Sequence, residues 1–133
     1  MSWEHKMQNA DAGKLILRLT LGILILFHGV AKMSGGVGGI QGMLSGAGLP
    51  EFLAYGVFLG EVVAPLLVIA GYQLRIGAAL IIINMLFAIG LGHMNEIFAL
   101  SSHGGWKIEL QAFFLFNAVA LLFLGPGKYV VKK

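Results

Sequence analysis

The sequence contains no cysteine, only three prolines, and few charged residues, which make up 11% of its 133 residues. Without cysteine the chain has no disulfide, no thiolate nucleophile and no cysteine-ligated zinc or iron–sulfur site. A soluble domain is typically about 45–50% apolar and about 25% charged. This chain is 58% hydrophobic, so it has too little polar surface to cover a globule in water. Because the chain has no cysteine, any redox chemistry must come from a bound cofactor or a partner.

The small excess of basic residues does not indicate nucleic-acid binding. Nine lysines and arginines stand against six acidic residues. They lie scattered near the ends of apolar segments and form no stripe or basic arm. Since nucleic-acid binding needs a concentrated basic surface, we expect no nucleic-acid partner.

Four apolar runs predict four membrane helices, at about residues 14–32, 52–71, 74–93 and 107–125. Each run approaches the roughly 20 residues needed to cross a bilayer, and none alternates as a membrane strand would. The first run is longer than the apolar part of a signal peptide and continues into Lys32, so we expect a retained helix. The predicted fold is all-α: an integral membrane four-transmembrane-helix bundle, one domain over residues 1–133, with the lipid bilayer as its surroundings.

The basic residues also predict the orientation of these helices. With a cytoplasmic N-terminus, the cytoplasmic set is Lys6, Lys14, Arg18, Arg75, Lys128, Lys132 and Lys133. The opposite set is Lys32 and Lys107. Because cytoplasmic loops carry the excess of lysine and arginine, we expect both ends of the chain in the cytoplasm.

The glycine-rich connection at residues 34–50 allows two interpretations. The spacing of Val37, Ile40, Leu44 and Ala47 suits a short amphipathic helix on the membrane interface. A disordered glycine linker accounts for the composition equally well, so both alternatives stay open.

Glu61 is the most informative residue, because a carboxylate inside an apolar helix is costly and normally faces the bundle interior. It follows a Gly-x-x-x-Gly pattern formed by Gly56 and Gly60, which is extended by Ala64 and allows close helix packing. Pro65 cannot donate a hydrogen bond to the Glu61 carbonyl, so we expect a kink there. The segment predicts a polar site in an apolar protein.

Helical rise places possible partners for this carboxylate on other helices. Arg18 and His28 lie within about two turns of its depth. We predict that Glu61, Arg18 and His28 carry proton or charge chemistry, and that His28, Glu61, Lys32 and Asn84 bind a cofactor. Two purely structural roles for these residues are the alternatives to this prediction. Arg18 and Glu61 could simply hold two helices together, and the asparagines could be interhelical hydrogen-bond partners.

A metal or haem site is disfavoured. His28, His93 and Glu109 share one predicted depth, which is one geometry for a bis-histidine haem or a metal. Interfacial histidines are, however, commonly just solvated. We expect no metal ligands and no haem.

Several short motifs in a fixed order resemble the DoxX family of small bacterial and archaeal membrane proteins over nearly the whole chain. They are Arg18-Leu19-Thr20-Leu21-Gly22, His28-Gly29-Val30-Ala31-Lys32, Gly48-Leu49-Pro50, Glu61, Gly71-Tyr72-Gln73-Leu74-Arg75, Trp106-Lys107-Ile108-Glu109 and Gly125-Pro126-Gly127-Lys128-Tyr129. The family takes its name from a subunit of a quinol-oxidising, thiosulfate-linked membrane complex. The resemblance implies a multi-pass protein of the bacterial or archaeal cytoplasmic (inner) membrane.

Three functions are compatible with this resemblance. The first is a quinone-linked oxidoreductase subunit without independent activity, which would need a soluble or membrane redox partner. The second is a non-enzymatic membrane scaffold that anchors a soluble partner or assembles into a homo-oligomer, which an outward-facing Gly56/Gly60/Ala64 face would support. The third is a small carrier that uses Glu61 as a polar gate.

Overall fold

The computed structural model describes residues 9–92, 96–102 and 104–131, and these residues are helical apart from short connections. The helices are α1 (Ala10–Gly35), α2 (Gly38–Gly46), α3 (Ala64–Ala70), α4 (Leu74–Gly92) and α5 (Glu109–Leu124). In the described residues the one β pairing is an isolated antiparallel bridge between Leu100 and Trp106. The all-α prediction is confirmed for this part of the chain.

The second apolar run does not form a uniform α-helix. It is a continuous segment, Glu51–Ala70, that begins with a 3-10 helix (Glu51–Gly56), passes through a π-helical turn (Leu59–Val63) and ends in α3. We call it the broken helix. It carries Glu61 in the π-helical turn.

Three helices of the described chain are long and apolar enough to cross a membrane: α1, the broken helix and α4. The fourth apolar helix, α5, has 16 residues and is therefore about 24 Å long, somewhat less than a hydrocarbon core of about 30 Å. The protein is accordingly a membrane protein. Four crossings and cytoplasmic ends stay a prediction.

Two apolar clusters hold these elements together. The main core joins α1, α3, α4 and α5 through the buried residues Leu21, Ile25, Ala64, Val68, Leu74, Ala78, Ile81, Met85, Phe114, Ala118 and Leu121. A smaller cluster packs α2 against the start of the broken helix through Val37, Leu44, Ala54 and Val57. The glycine-rich connection therefore contains a packed helix and is not a structureless linker.

Glycines let α1 lie directly on the broken helix. A Cβ atom on Gly29 would lie 2.0 Å from the carbonyl oxygen of Glu61, and one on Gly22 would lie 2.5 Å from Cγ1 of Ile69. Gly22 and Gly29 are seven residues apart, which places both on the same face of α1. Any side chain at Gly29 would have to push the two backbones apart.

The opposite side of the broken helix packs equally closely on α4. A Cβ atom on Gly60 would lie 2.3 Å from the Cβ atom of Asn84, and Ala64 is fully buried. Two of the three small residues in the Gly56/Gly60/Ala64 face thus point into the chain. The outward-facing motif that would have supported the scaffold hypothesis is therefore not formed by Gly60 and Ala64, and the hypothesis itself stays a prediction.

Candidate functional site

The site begins with a local widening of the broken helix. Pro65 has no backbone N–H to donate to the carbonyl of Glu61, so the regular hydrogen bond four residues apart is not available there. One residue earlier, the N–H of Ala64 donates to the carbonyl of Leu59, a spacing of five residues. Such π-helical turns frequently occur at functional sites. Here the turn carries the buried acid.

Both carboxylate oxygens of Glu61 have hydrogen-bond partners from neighbouring helices. The residue is 3% exposed. The ammonium group of Lys32 on α1 donates to Oε1 at 2.6 Å, and Nδ2 of Asn84 on α4 donates to Oε2 at 2.8 Å. The described part of the chain leaves no buried side-chain nitrogen or oxygen without a partner. Glu61 therefore sits in a satisfied polar contact joining three helices.

The ion pair is asymmetric in its exposure. The side chain of Lys32 is 31% exposed, whereas that of Glu61 is 4% exposed. Side chains on an α-helix point toward its N-terminus, so Lys32 reaches back from the last turns of α1 toward the depth of His28. The lysine connects the buried acid with the surroundings of the protein.

A cavity of about 130 Å³ opens beside this ion pair. It is lined by Ile25, His28, Lys32, Glu61, Met85, Ala88, Leu110, Gln111 and Phe114. The ring of His28 meets Phe114 edge to face, with centroids 5.9 Å apart and planes at 77°. His28 and Leu110 are exposed, so the cavity is not sealed from outside. It combines a polar end at Lys32 and Glu61 with apolar walls, as ligand sites usually do.

Comparison with known proteins assigns the family. A family model described as DoxX matches residues 13–94, more than half of the chain. The chain belongs to the DoxX family. This match covers the part of the DoxX chain that contains Lys32, Glu61 and Asn84, and ends before α5.

One curated relative supports the same assignment. A Bacillus subtilis (strain 168) protein named "Putative oxidoreductase CatD" is 35% identical over 79 residues. The alignment covers 59% of the DoxX chain and 58% of that relative, so it spans well under two thirds of the relative's length. No solved structure gives a significant match.

Of the residues predicted from the sequence, His28, Lys32 and Glu61 line the cavity. Asn84 does not line it but donates a hydrogen bond to Glu61. Arg18 does not join them. Arg18 is 1% exposed, and its guanidinium donates to four backbone carbonyls, those of Val68, Ile69, Pro126 and Tyr129, at 2.7–3.0 Å. The alternative in which Arg18 pairs with Glu61 is wrong in this DoxX chain, because Lys32 and Asn84 are the hydrogen-bond partners of that carboxylate.

Arg18 instead fastens the C-terminal segment to the end of α3. The last carbonyls of a helix have no partner within it and carry partial negative charge, which suits a guanidinium. Its fork of five N–H donors can serve several acceptors at once. The adjoining backbone adds a bond from the N–H of Val131 to the carbonyl of Ala70 at 2.9 Å. The role visible for Arg18 is structural.

We predict that Arg18→Met loosens this segment. Hydrogen bonds from charged groups contribute about 1.5–3 kcal/mol each, so losing those to Pro126 and Tyr129 raises the open population at least about tenfold. Trypsin cleavage after Lys128, followed by mass spectrometry, should accelerate accordingly. Arg75→Met is the matched control, because Arg75 donates to the carbonyl of Leu122 and, among the described residues, to no carbonyl between 125 and 131. Equal cleavage rates in both variants would contradict the assignment.

Gln111 also lines the cavity, whereas Asn117 and Glu109 do not, and two histidines lie outside the described residues. Asn117 donates to the carbonyl of Phe113 within its own helix, and Glu109 is exposed in the first turn of α5. His93 and His103 fall outside the described residues, so the bis-histidine geometry is not tested. No group of three metal-ligating side chains occurs among the residues that the structure describes.

Proposed function

We propose that this protein is the quinone-binding membrane subunit of a quinol-linked oxidoreductase. The observation that carries the proposal is the ion pair of Lys32 with Glu61 at the polar end of a cavity of about 130 Å³, which is large enough for one ring. Membership of the DoxX family and the oxidoreductase name of the Bacillus subtilis relative support the reaction class. An apolar quinone tail would leave through the open side of the cavity into the bilayer.

The residues around the cavity suit proton-coupled chemistry. A bound quinol supplies two electrons and two protons when it becomes a quinone. Lys32 would donate a hydrogen bond to an oxygen of the head group, and Glu61 would accept the two protons of the head group one after the other, passing on the first before it takes the second. Asn84 positions the second oxygen of Glu61. The partly exposed Lys32 gives the proton a route away from the buried acid.

The proposal places the electron acceptor on a second protein. Since the sequence has no cysteine, this chain supplies no thiolates for an iron–sulfur cluster. We assign the electron acceptor to a soluble or membrane partner that carries a metal or flavin centre. The DoxX chain would contribute the quinone side of the complex.

The proposal includes the location of the site. With four crossings and both ends in the cytoplasm, the end of α1 that carries Lys32 faces away from the cytoplasm. Quinol oxidation at that depth would release its protons on the outer side of a bacterial or archaeal cytoplasmic membrane. Tagged fusions at residues 2 and 133, assayed for accessibility in intact cells, would test this orientation.

We predict that Lys32→Met weakens quinol binding at least about tenfold, because a hydrogen bond from a charged donor contributes about 1.5–3 kcal/mol. The measurement is equilibrium dialysis of the purified protein in nanodiscs against a water-soluble quinol. Lys107→Met is the matched control, since Lys107 lies outside the cavity and forms a 3.8 Å ion pair with Glu96. It should bind like the wild type. Absence of saturable binding by the wild type would refute the proposed function.

A further inference from the structure

We propose that the cavity takes a head group with one six-membered ring and excludes fused two-ring head groups, with Met85 and Ile25 as the residues that set this limit. The inference rests on the proposed quinone function and specifies its substrate class. It concerns the ring alone, because the substituents and tail can lie outside the open side of the cavity.

The volume of the cavity supports a single ring. An apolar cavity of about 150 Å³ in a protein interior holds one benzene molecule. The cavity beside Glu61 has a volume of about 130 Å³. It therefore has room for one ring whose oxygen meets the polar end. In a fused two-ring quinol the second ring lies on the edge opposite the one that carries the tail. When the tail-bearing edge faces the open side of the cavity, the second ring faces the walls, which would then have to move.

The walls are parts of the main core and cannot move freely. Ile25, Met85 and Phe114 are 0%, 5% and 4% exposed. They belong to the same packed cluster, which joins α1, α4 and α5. Protein interiors are packed as densely as organic crystals, so extra volume forces side chains or backbones out of place. Phe114 is further held by the edge of His28.

Charge also favours a neutral ring over an anionic ligand. The polar end contains one ammonium group and one carboxylate, joined at 2.6 Å, whose charges cancel. Asn84 adds a neutral amide. A neutral quinol oxygen can bond to such a pair, while an added negative charge would face the buried Glu61.

The test compares two quinols that differ by one fused ring. Methylhydroquinone and 2-methyl-1,4-naphthohydroquinone are dialysed anaerobically against the full chain in nanodiscs. Binding measured with the Ala88→Leu variant, whose larger side chain fills the cavity, is subtracted as binding outside the cavity. Since a single methylene in an apolar pocket can change binding about 10- to 200-fold, we expect the one-ring quinol to bind at least about tenfold more tightly. Met85→Ala should reduce this ratio to below about threefold.

Each outcome bears on the inference. Equal or tighter binding of the two-ring quinol by the wild type overturns the ring limit and leaves the proposed function standing. Binding of neither quinol overturns both. If Met85→Ala fails to fold, Ile25→Val removes a single methylene from the same wall and should shift the ratio in the same direction. An unchanged ratio in every folded wall variant overturns the role of Met85 and Ile25.

Discussion

Gly29→Ala is expected to destabilise the protein by at least about 3 kcal/mol, because overpacking at a contact that cannot relax lies at the upper end of the range for such substitutions. The added Cβ atom would meet the carbonyl oxygen of Glu61 at 2.0 Å and its carbonyl carbon at 2.7 Å. Both are backbone atoms, so no rotamer change relieves the overlap. The helices must separate, and the ion pair between them is lost as well.

The matched control lies on the same helix. A Cβ atom added to Gly13 of α1 would have nothing within 4 Å, so Gly13→Ala should be neutral or stabilise the helix by up to about 1 kcal/mol. Unfolding in mixed micelles, monitored by circular dichroism, gives both values. A loss below about 1 kcal/mol for Gly29→Ala would show that α1 does not lie on the broken helix as described.

Lys32→Met is expected to cost about 3 kcal/mol of folding stability, the low end of the range for breaking a buried pair, since the lysine is partly exposed. The substitution leaves the Glu61 carboxylate without its cationic partner in an apolar interior. Glu61→Gln should cost much less, about 1 kcal/mol. Its amide can still contact Asn84, and the released lysine can extend to the interface.

The double variant Lys32→Met/Glu61→Gln separates the interaction energy of the ion pair from the effect that each single substitution has on its surroundings. We expect it to be more stable than Lys32→Met alone, because no uncompensated charge remains. The measurement is the same mixed-micelle unfolding for the four proteins of the cycle. Additive losses in the double variant would mean that the two groups do not interact, and would remove the basis of the site.

The sequence predicted the helical class of the fold well, because long apolar runs without alternation have one solution in a bilayer. It did not predict the irregular course of the broken helix. Pro65 indicated a kink, but how the backbone compensates depends on Gly29 and Gly60, which admit α1 and α4 from opposite sides. That compensation is a property of three packed helices and cannot be read from one of them.

The candidate site was located from a single residue and its partner was misjudged. Glu61 stood out because an acid is costly in an apolar segment. Ranking partners by the depth of their Cα atoms favours Arg18 and His28, whereas Lys32 enters the sequence prediction only as a cofactor-binding residue. The direction of helical side chains and the length of lysine were the signals that could have corrected this. The carbonyls that accept hydrogen bonds from Arg18 belong to distant segments of the chain, and no pattern in the sequence around Arg18 indicates them.

The π-helical turn has a consequence for how relatives of this protein should be aligned. Each hydrogen bond across five residues encloses one residue more than a regular α-helical bond. A homologue with one residue fewer between positions 59 and 63 would keep a regular helix, and its side chains before the deletion would be turned by about 100° around the axis. An acid that precedes the deleted residue would then no longer face a lysine on the first helix. Gap placement in these few positions should therefore separate DoxX proteins that retain the ion pair from those that have lost it.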